Sequence, residues 1–228
     1  MIARLDLSRP KKTLLFVKIA VSGVNPSDVK RRAGRNQTMA YRWAVPDQDG
    51  AGRIDRVGPG VDPARVGERV WLHSTAWKRQ IGTAAEYTTT PAFRAVPLAE
   101  SISYTIGAGL GVPAMTAHRA LFGCGPVCDR TVMITGGAGA VGFYAIALAK
   151  WAGARVIATT SSEAKAADAT RAGADHVIDY KREKVAERVA VLTGGRGVDH
   201  IVEVDFGANV AASVASLLLT TDALVSDI

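Results

Sequence analysis

Apolar and polar positions along the chain follow two rhythms, and the change falls near Pro113. Before it, short runs rich in β-branched and aromatic residues, at 13–21, 52–57, 69–72 and 86–89, are bounded by Gly, Pro and Asp. That pattern predicts strands joined by tight turns, with Gly58-Pro59-Gly60 and Val66-Gly67-Glu68 as turn sequences. Beyond Pro113, apolar runs at 132–135, 155–159, 176–178 and 199–204 alternate with helical patterns at 140–151, 163–172, 182–192 and 208–219. Strand then helix, repeated, predicts an α/β unit with a parallel sheet and crossover helices. The expected division is 1–112 and 113–228. A doubly wound dinucleotide fold has about six strands. The pattern supplies four, and residues 221–228 stand where a Pro-Gly turn and a fifth strand would be expected.

The chemistry concentrates after the first of these strands, in Gly136-Gly137-Ala138-Gly139-Ala140-Val141-Gly142. Gly137, Gly139 and Gly142 satisfy GxGxxG, and the loop opens a helix that leads to a second strand, the context that makes the motif specific. Gly137 is expected to permit the tight turn, Gly139 to remove a Cβ that would strike a pyrophosphate, and Gly142 to let the helix lie close on the sheet. The unbonded N–H groups at the helix start, at Ala140 and Val141, then face the phosphates.

The end of the second strand selects the dinucleotide. An NAD site places an acid about 20 residues along for the ribose 2′-hydroxyl, but here the neighbourhood is Thr159-Thr160-Ser161-Ser162. Glu163 has capping-box spacing to Thr160 and is assigned to the helix start. Lys165 one turn into the helix can neutralise a 2′-phosphate, and Tyr180, just past the third strand, can hydrogen-bond it. NADP is favoured over NAD.

Composition changes this picture little. With 48% hydrophobic and 21% charged residues, the 228-residue chain can bury a core, which excludes disorder and fibrous classes. No apolar stretch reads as a membrane span or signal peptide, so a cytoplasmic protein is expected. The net charge of +7 arises wholly within 1–60, densest at Lys30, Arg31, Arg32 and Arg35; without interleaved aromatics it reads as a solvated face, and nucleic acid is not the expected partner. Cys124 and Cys128, four apart, form no CxxC pair and no zinc site, and are expected to be small buried or half-buried side chains. His73, His118, His176 and His200 fall in no catalytic or metal spacing.

The succession of a β-rich unit, Pro113-Ala114-Met115-Thr116-Ala117-His118, the glycine loop, and the segments 158–165 (ATTSSEAK), 172–180 (AGADHVIDY) and 192–199 (LTGGRGVD) resembles the medium-chain dehydrogenase/reductase superfamily. Within it the chain is similar to the zinc-independent quinone oxidoreductase branch. The first half adds 22–28 (SGVNPSD), 49–52 (DGAG), 57–61 (VGPGV), 66–70 (VGERV) and 82–87 (GTAAEY). The resemblance covers about 13–207.

It implies a GroES-like catalytic domain over 1–112 and a Rossmann NADP-binding domain over 113–228, with substrate and nicotinamide in the cleft between them. Zinc-using members place a cysteine where Asn25 stands and a histidine where Gln48 stands, so a metal-free hydride transfer to a quinone, an activated alkene or a carbonyl is implied. Asn25 would donate a hydrogen bond to the developing oxyanion, Asp28 would hold neighbouring groups, Tyr41 is a candidate proton donor, and Thr116 resembles the family threonine near the nicotinamide. Ser161 and Lys165 would belong to the cofactor site. Members also begin with strands before residue 11 and continue past the fourth Rossmann strand, so the chain reads as truncated at both ends, without the strand used for subunit pairing. Three readings stay open: an NADPH-dependent reductase of a small-molecule acceptor, a catalytically impaired NADP-binding remnant, and a structural or RNA-contacting role. A homo-oligomer is left open.

Overall fold

Alternation of side chains across β1 (Leu14–Gly23) sends Leu15 and Val17 into one interior, where they meet Ile54, Val70, Leu72 and Ala95. The computed structural model, which describes residues 13–34 and 41–204 and the backbone of 223–225, pairs β1 antiparallel with β2 (Asp49–Val57) and with β4 (Tyr87–Pro91). With β3 (Arg69–Leu72) and β5 (Ala95–Pro97) they form a five-stranded sheet in the order β4-β1-β2-β3-β5. The three-residue β5, too short to register as a periodic run, is absent from the sequence reading. Helix α1 (Pro26–Arg32) follows β1, and α2 (Tyr104–Ala108) precedes a wide π-type turn at Leu110–Ala114 that contains Pro113.

The second half alternates as the pattern predicts. After α3 (Met115–Phe122) come β6 (Thr131–Ile134), α4 (Ala140–Trp151), β7 (Arg155–Thr160), α5 (Glu163–Arg171), β8 (His176–Asp179), α6 (Val185–Thr193) and β9 (His200–Glu203). With β10 (Ala223–Val225) at one edge, all pairings are parallel, in the order β10-β9-β6-β7-β8. Successive residues of β6 and β7 serve opposite faces: Val132, Ile134, Val156 and Ala158 pack with Leu121, Ala145 and Ile146, whereas Met133 and Ile157 pack with Ile178, Val189 and Ile201. Such a sheet is apolar on both faces and needs helices on both. The chain divides into two units, Met1–Val112 and Pro113–Ile228.

Four expectations about elements, their ends and their loops are corrected. The parallel sheet has five strands among the described residues, because β10 (Ala223–Val225) pairs parallel with β9, aligning Ala223 with Ile201 and Val225 with Glu203. Three residues without a preceding Pro-Gly turn carry no strand signal of their own. Helix α6 begins at Val185 rather than 182, since Arg182 and Glu183 N–H groups both donate to Asp179 O in a tight turn. Cys124 and Cys128 are exposed, because the loop turns at Gly125 and Asp129, both at positive φ, and buries Val127 instead. The fourth concerns the cap of α5, described below. Residues 1–10, where the strands that open family members are expected to be missing, Arg35 and the helix expected at 208–219 lie outside the described residues.

Candidate functional site

The glycine loop follows β6 directly, with Gly139 as the N-cap of α4. Its glycines divide their work differently from the expected assignment. The turn is made at Gly136, at φ 58°, whose N–H is turned toward the Thr159 hydroxyl (3.3 Å). Gly137 is a packing position: its N–H donates to Thr159 O at 2.9 Å, and a Cβ there would lie 2.9 Å from the Ala158 Cβ. At Gly142 a Cβ would meet Gly136 O at 2.3 Å, so this glycine lets α4 close on its own loop rather than on the sheet. Gly139 has only Gly136 O near its absent Cβ, at 3.1 Å. The first turn of a helix has no intrahelical acceptors for its N–H groups, which at Ala140 and Val141 makes a partial positive charge at the loop. These features fit a pyrophosphate.

The ends of β7 and β8 lie side by side, Thr160 opposite Asp179, and Tyr180 N–H donates to Thr160 O at 3.1 Å. Ser161 follows β7, and Lys165 Nζ donates to its hydroxyl at 3.1 Å. Lys165 and Tyr180 are exposed, so a cation, a hydroxyl and a phenol share one edge of the sheet. The cap of α5 is Ser162, whose hydroxyl accepts from Lys165 N–H; Thr160 is buried in β7 and caps nothing. The Thr160–Glu163 capping box therefore does not form, because the strand extends one residue further than its apolar run. Glu163 stands exposed in the first turn of α5.

In the first unit, Asn25 is the N-cap of α1. Its backbone N–H donates to Asp28 Oδ2 at 3.0 Å, which closes the helix start. Its side chain does something else: Nδ2 donates to Asp49 Oδ2 at 2.8 Å. The same oxygen accepts from Val112 N–H at 2.6 Å. Asp49, the first residue of β2, is fully buried, and no protein donor reaches its Oδ1 among the described residues. That oxygen lies against Gly111, where a Cβ would come within 2.0 Å. Loss of water pushes the Asp49 carboxyl up to about 6; the Val112 and Asn25 hydrogen bonds pull it down, and Asp28 and Asp47 add to the rise. Asp28 is also raised, chiefly by burial, against the Asn25 N–H bond. Around them Ser22 Oγ donates to Asp47 Oδ2 at 2.9 Å, and Thr83 Oγ1 donates to Asp49 O at 2.5 Å.

Tyr41 is exposed, and among the described residues no hydrogen bond joins it to this network. Thr116 lies half-buried in the first turn of α3. Arg31, from the basic cluster, is committed to the fold through Nη1–Ala76 O (2.8 Å) and Nη2–Arg79 O (3.3 Å). Buried His200 Nε2 lies 2.9 Å from Ala120 O. Gln48 Oε1 is buried with no protein donor, and among the described residues no three His, Cys, Asp or Glu side chains group closely enough to hold a metal ion. Likewise no described helix is long and apolar enough to cross a membrane. The sequence reading includes Asp49 only as part of DGAG; an acid directly before the small, buried run Gly50-Ala51-Gly52 is its signal.

Residues 11–100 match the model of the alcohol dehydrogenase GroES-like domain, and residues 140–222 that of the zinc-binding dehydrogenase family. The chain is 31% identical over 195 residues to the quinone oxidoreductase of Rattus norvegicus, a match covering 85% of this chain and 58% of that one. It is 34% identical over 179 residues to the 2-methylene-furan-3-one reductase of Solanum lycopersicum, covering 76% and 46%. The structure of Escherichia coli quinone oxidoreductase complexed with NADPH superposes with a TM-score of 0.85 at 25% identity, covering 98% of this chain and 67% of that one. The chain thus spans about three fifths of the length of the quinone oxidoreductase relative it matches, 58% for the rat protein. The antiparallel unit is GroES-like and the parallel unit Rossmann-like.

Proposed function

The chain belongs to the medium-chain dehydrogenase/reductase superfamily, and from that premise we propose that it is a cytoplasmic, NADPH-dependent, zinc-independent oxidoreductase that reduces a quinone or an activated alkene or carbonyl. The observation that carries this reading is the sheet edge where Lys165 meets Ser161 beside Tyr180, next to the glycine loop. A 2′-phosphate there would gain a charge-assisted bond from Lys165 and hydroxyl bonds from Ser161 and Tyr180, whereas no acid ends β7 to favour a free ribose 2′-hydroxyl. The pyrophosphate would rest on the N–H groups of Ala140 and Val141, in the space left by Gly139, while Gly142 lets α4 close on the loop.

NADPH, when bound, supplies the hydride. Reduction of a quinone also needs a proton and a place for negative charge on the acceptor oxygen. Asn25 donates one Nδ2 hydrogen to Asp49, and its amide, which also interacts with the Asp28 carboxylate, carries a second to offer to that oxygen. Asp28 holds the backbone from which Asn25 projects. Tyr41 is the proposed proton donor, and Thr116 a contact of the nicotinamide. Amide side chains at 25 and 48 are poor zinc ligands, which supports metal-free chemistry. The match to the zinc-binding dehydrogenase model begins at residue 140 and includes neither position.

The test is fluorescence titration of the full chain with NADPH and NADH, followed by quinone-dependent NADPH oxidation with 1,4-benzoquinone. Saturable binding that prefers NADPH, with quinone-dependent turnover insensitive to a zinc chelator, is the expected result. Equal affinity for NADH overturns the cofactor assignment, chelator-sensitive activity with stoichiometric zinc overturns the metal-free one, and tight binding without turnover of quinones or enones leaves an NADP-binding protein that catalyses nothing.

A further inference from the structure

An ionised side chain fully removed from water is retained in few places without a task, because burying charge opposes folding. Asp49 is such a group, and its surroundings are one-sided. Oδ2 gathers two donors, Asn25 Nδ2 and Val112 N–H, from segments 24 residues before and 63 residues after it. Oδ1 faces Gly111, which has no side chain to offer. The carboxylate is thereby clamped in one rotamer. The Asn25 amide stands at the start of its own helix beside Asp28, whose carboxylate it helps to stabilise, and in addition it donates across to Asp49 at 2.8 Å.

We propose that Asp49 is a positioning residue: its Oδ2 fixes the Asn25 side-chain amide so that the second Nδ2 hydrogen and Oδ1 are presented in one orientation, and binds that orientation to the backbone at Val112. This deepens the reading of Asn25 as the group facing the acceptor oxygen, and rests on that reading for its catalytic consequence. A fixed donor stabilises developing charge without reorganising, whereas a free asparagine must first be oriented. The amide could otherwise flip and offer its oxygen to an oxyanion. The titratable and charged groups bearing on Asp49 and on Asp28 beside it are Asp28, Asp47 and, toward Asp28, Arg31. Because Oδ2 is occupied by two donors, a proton enters at Oδ1, and the Asn25 bond weakens on protonation without losing its acceptor.

The test has an arm independent of turnover. In the 15N-labelled full chain, the Asn25 side-chain amide is assigned by its loss in Asn25→Ala and followed with pH. Its resonance is expected to move with a midpoint near about 6, to shift in Asp49→Leu, and to lose the titration in Asp49→Asn, which keeps an acceptor but no charge. An amide that ignores Asp49→Leu, or titrates unchanged in Asp49→Asn, overturns the proposal, and the second variant decides the matter if the first does not fold. In quinone reduction, Asp49→Leu is expected to lower kcat roughly 10-fold or more with the Kd for NADPH unchanged, yet less than about twofold in an Asn25→Ala background. Asp49→Asn should stay within about threefold of the parent. Additive losses overturn the proposal. A parent chain that reduces no acceptor while its Asn25 amide follows Asp49 overturns the reading of the function and leaves the positioning intact.

Discussion

The two units hold their candidate chemistry by opposite means. In the Rossmann-like unit, the loop from Gly136 to Gly142 offers backbone N–H groups and the absence of side chains, with the proposed polar helpers Ser161, Lys165 and Tyr180 at the sheet edge. In the GroES-like unit, Asn25, Asp28 and Asp49 work through side chains almost wholly removed from water. A phosphate site must admit a strongly hydrated anion, so it is open and made of many weak dipoles. An orienting site gains from a low dielectric, where one carboxylate can lock one amide. The first arrangement tolerates surface change and fails on any added Cβ; the second fails on any loss of a polar partner.

The largest break is expected at Gly142. A Cβ 2.3 Å from Gly136 O cannot be accommodated without moving the loop, so Gly142→Ala should weaken NADPH by more than ~100-fold in a fluorescence titration. Next, Gly111→Ala would place a Cβ 2.0 Å from Asp49 Oδ1 and displace the carboxylate, leaving donors of Asn25 and Val112 unmatched. Quinone turnover should drop roughly 30-fold, the loss of about 2 kcal/mol, with NADPH affinity retained. If both glycine variants injure cofactor binding equally, the contrast between the units is wrong.

A smaller effect sharpens the open edge. Lys165→Ala should weaken NADPH by about 10-fold and leave NADH unchanged, the loss of one exposed charge-assisted bond. The smallest concerns stability. The Asp49 carboxyl lies at about 6 in the fold against an ordinary 3.8. Its neutral form is favoured by folding, so this contribution is fully present below pH 3.8 and is lost as the pH rises through about 6. Above that, ionisation opposes the fold by on the order of 3 kcal/mol. Asp49→Asn, neutral throughout, should therefore melt several degrees higher than the parent at pH 7 and show little difference at pH 4, by calorimetry across that range.

The strand–helix alternation, the helix Ala140–Trp151, the glycine loop and the Lys165–Ser161–Tyr180 edge were all legible in the sequence. Each depends on residues close together in the chain: a run of apolar positions, a glycine spacing, a strand end followed at once by its loop. Such local rules are set by backbone sterics and side-chain period, and they act before any distant contact exists. Even here the division of labour among Gly136, Gly137 and Gly142 was misassigned, because whether a glycine serves a positive φ or a close approach depends on what stands opposite it. The missed strands β5 and β10, three residues each, are defined by their neighbours, Val96 opposite Trp71 and Leu224 opposite Val202, and have no pattern long enough to announce them.

The sequence by itself determined the strand–helix alternation of the second half, where the glycine-rich loop stands, and which residue types line the sheet edge beside it. Tertiary structure alone decided that Asp49 loses its water, that its one bonded oxygen unites Asn25 with Val112, and that Gly111 closes its other side. Hydrogen bonds across 24 and 63 residues have no periodic trace in the chain. They exist only once the fold has brought these groups together and burial has excluded water.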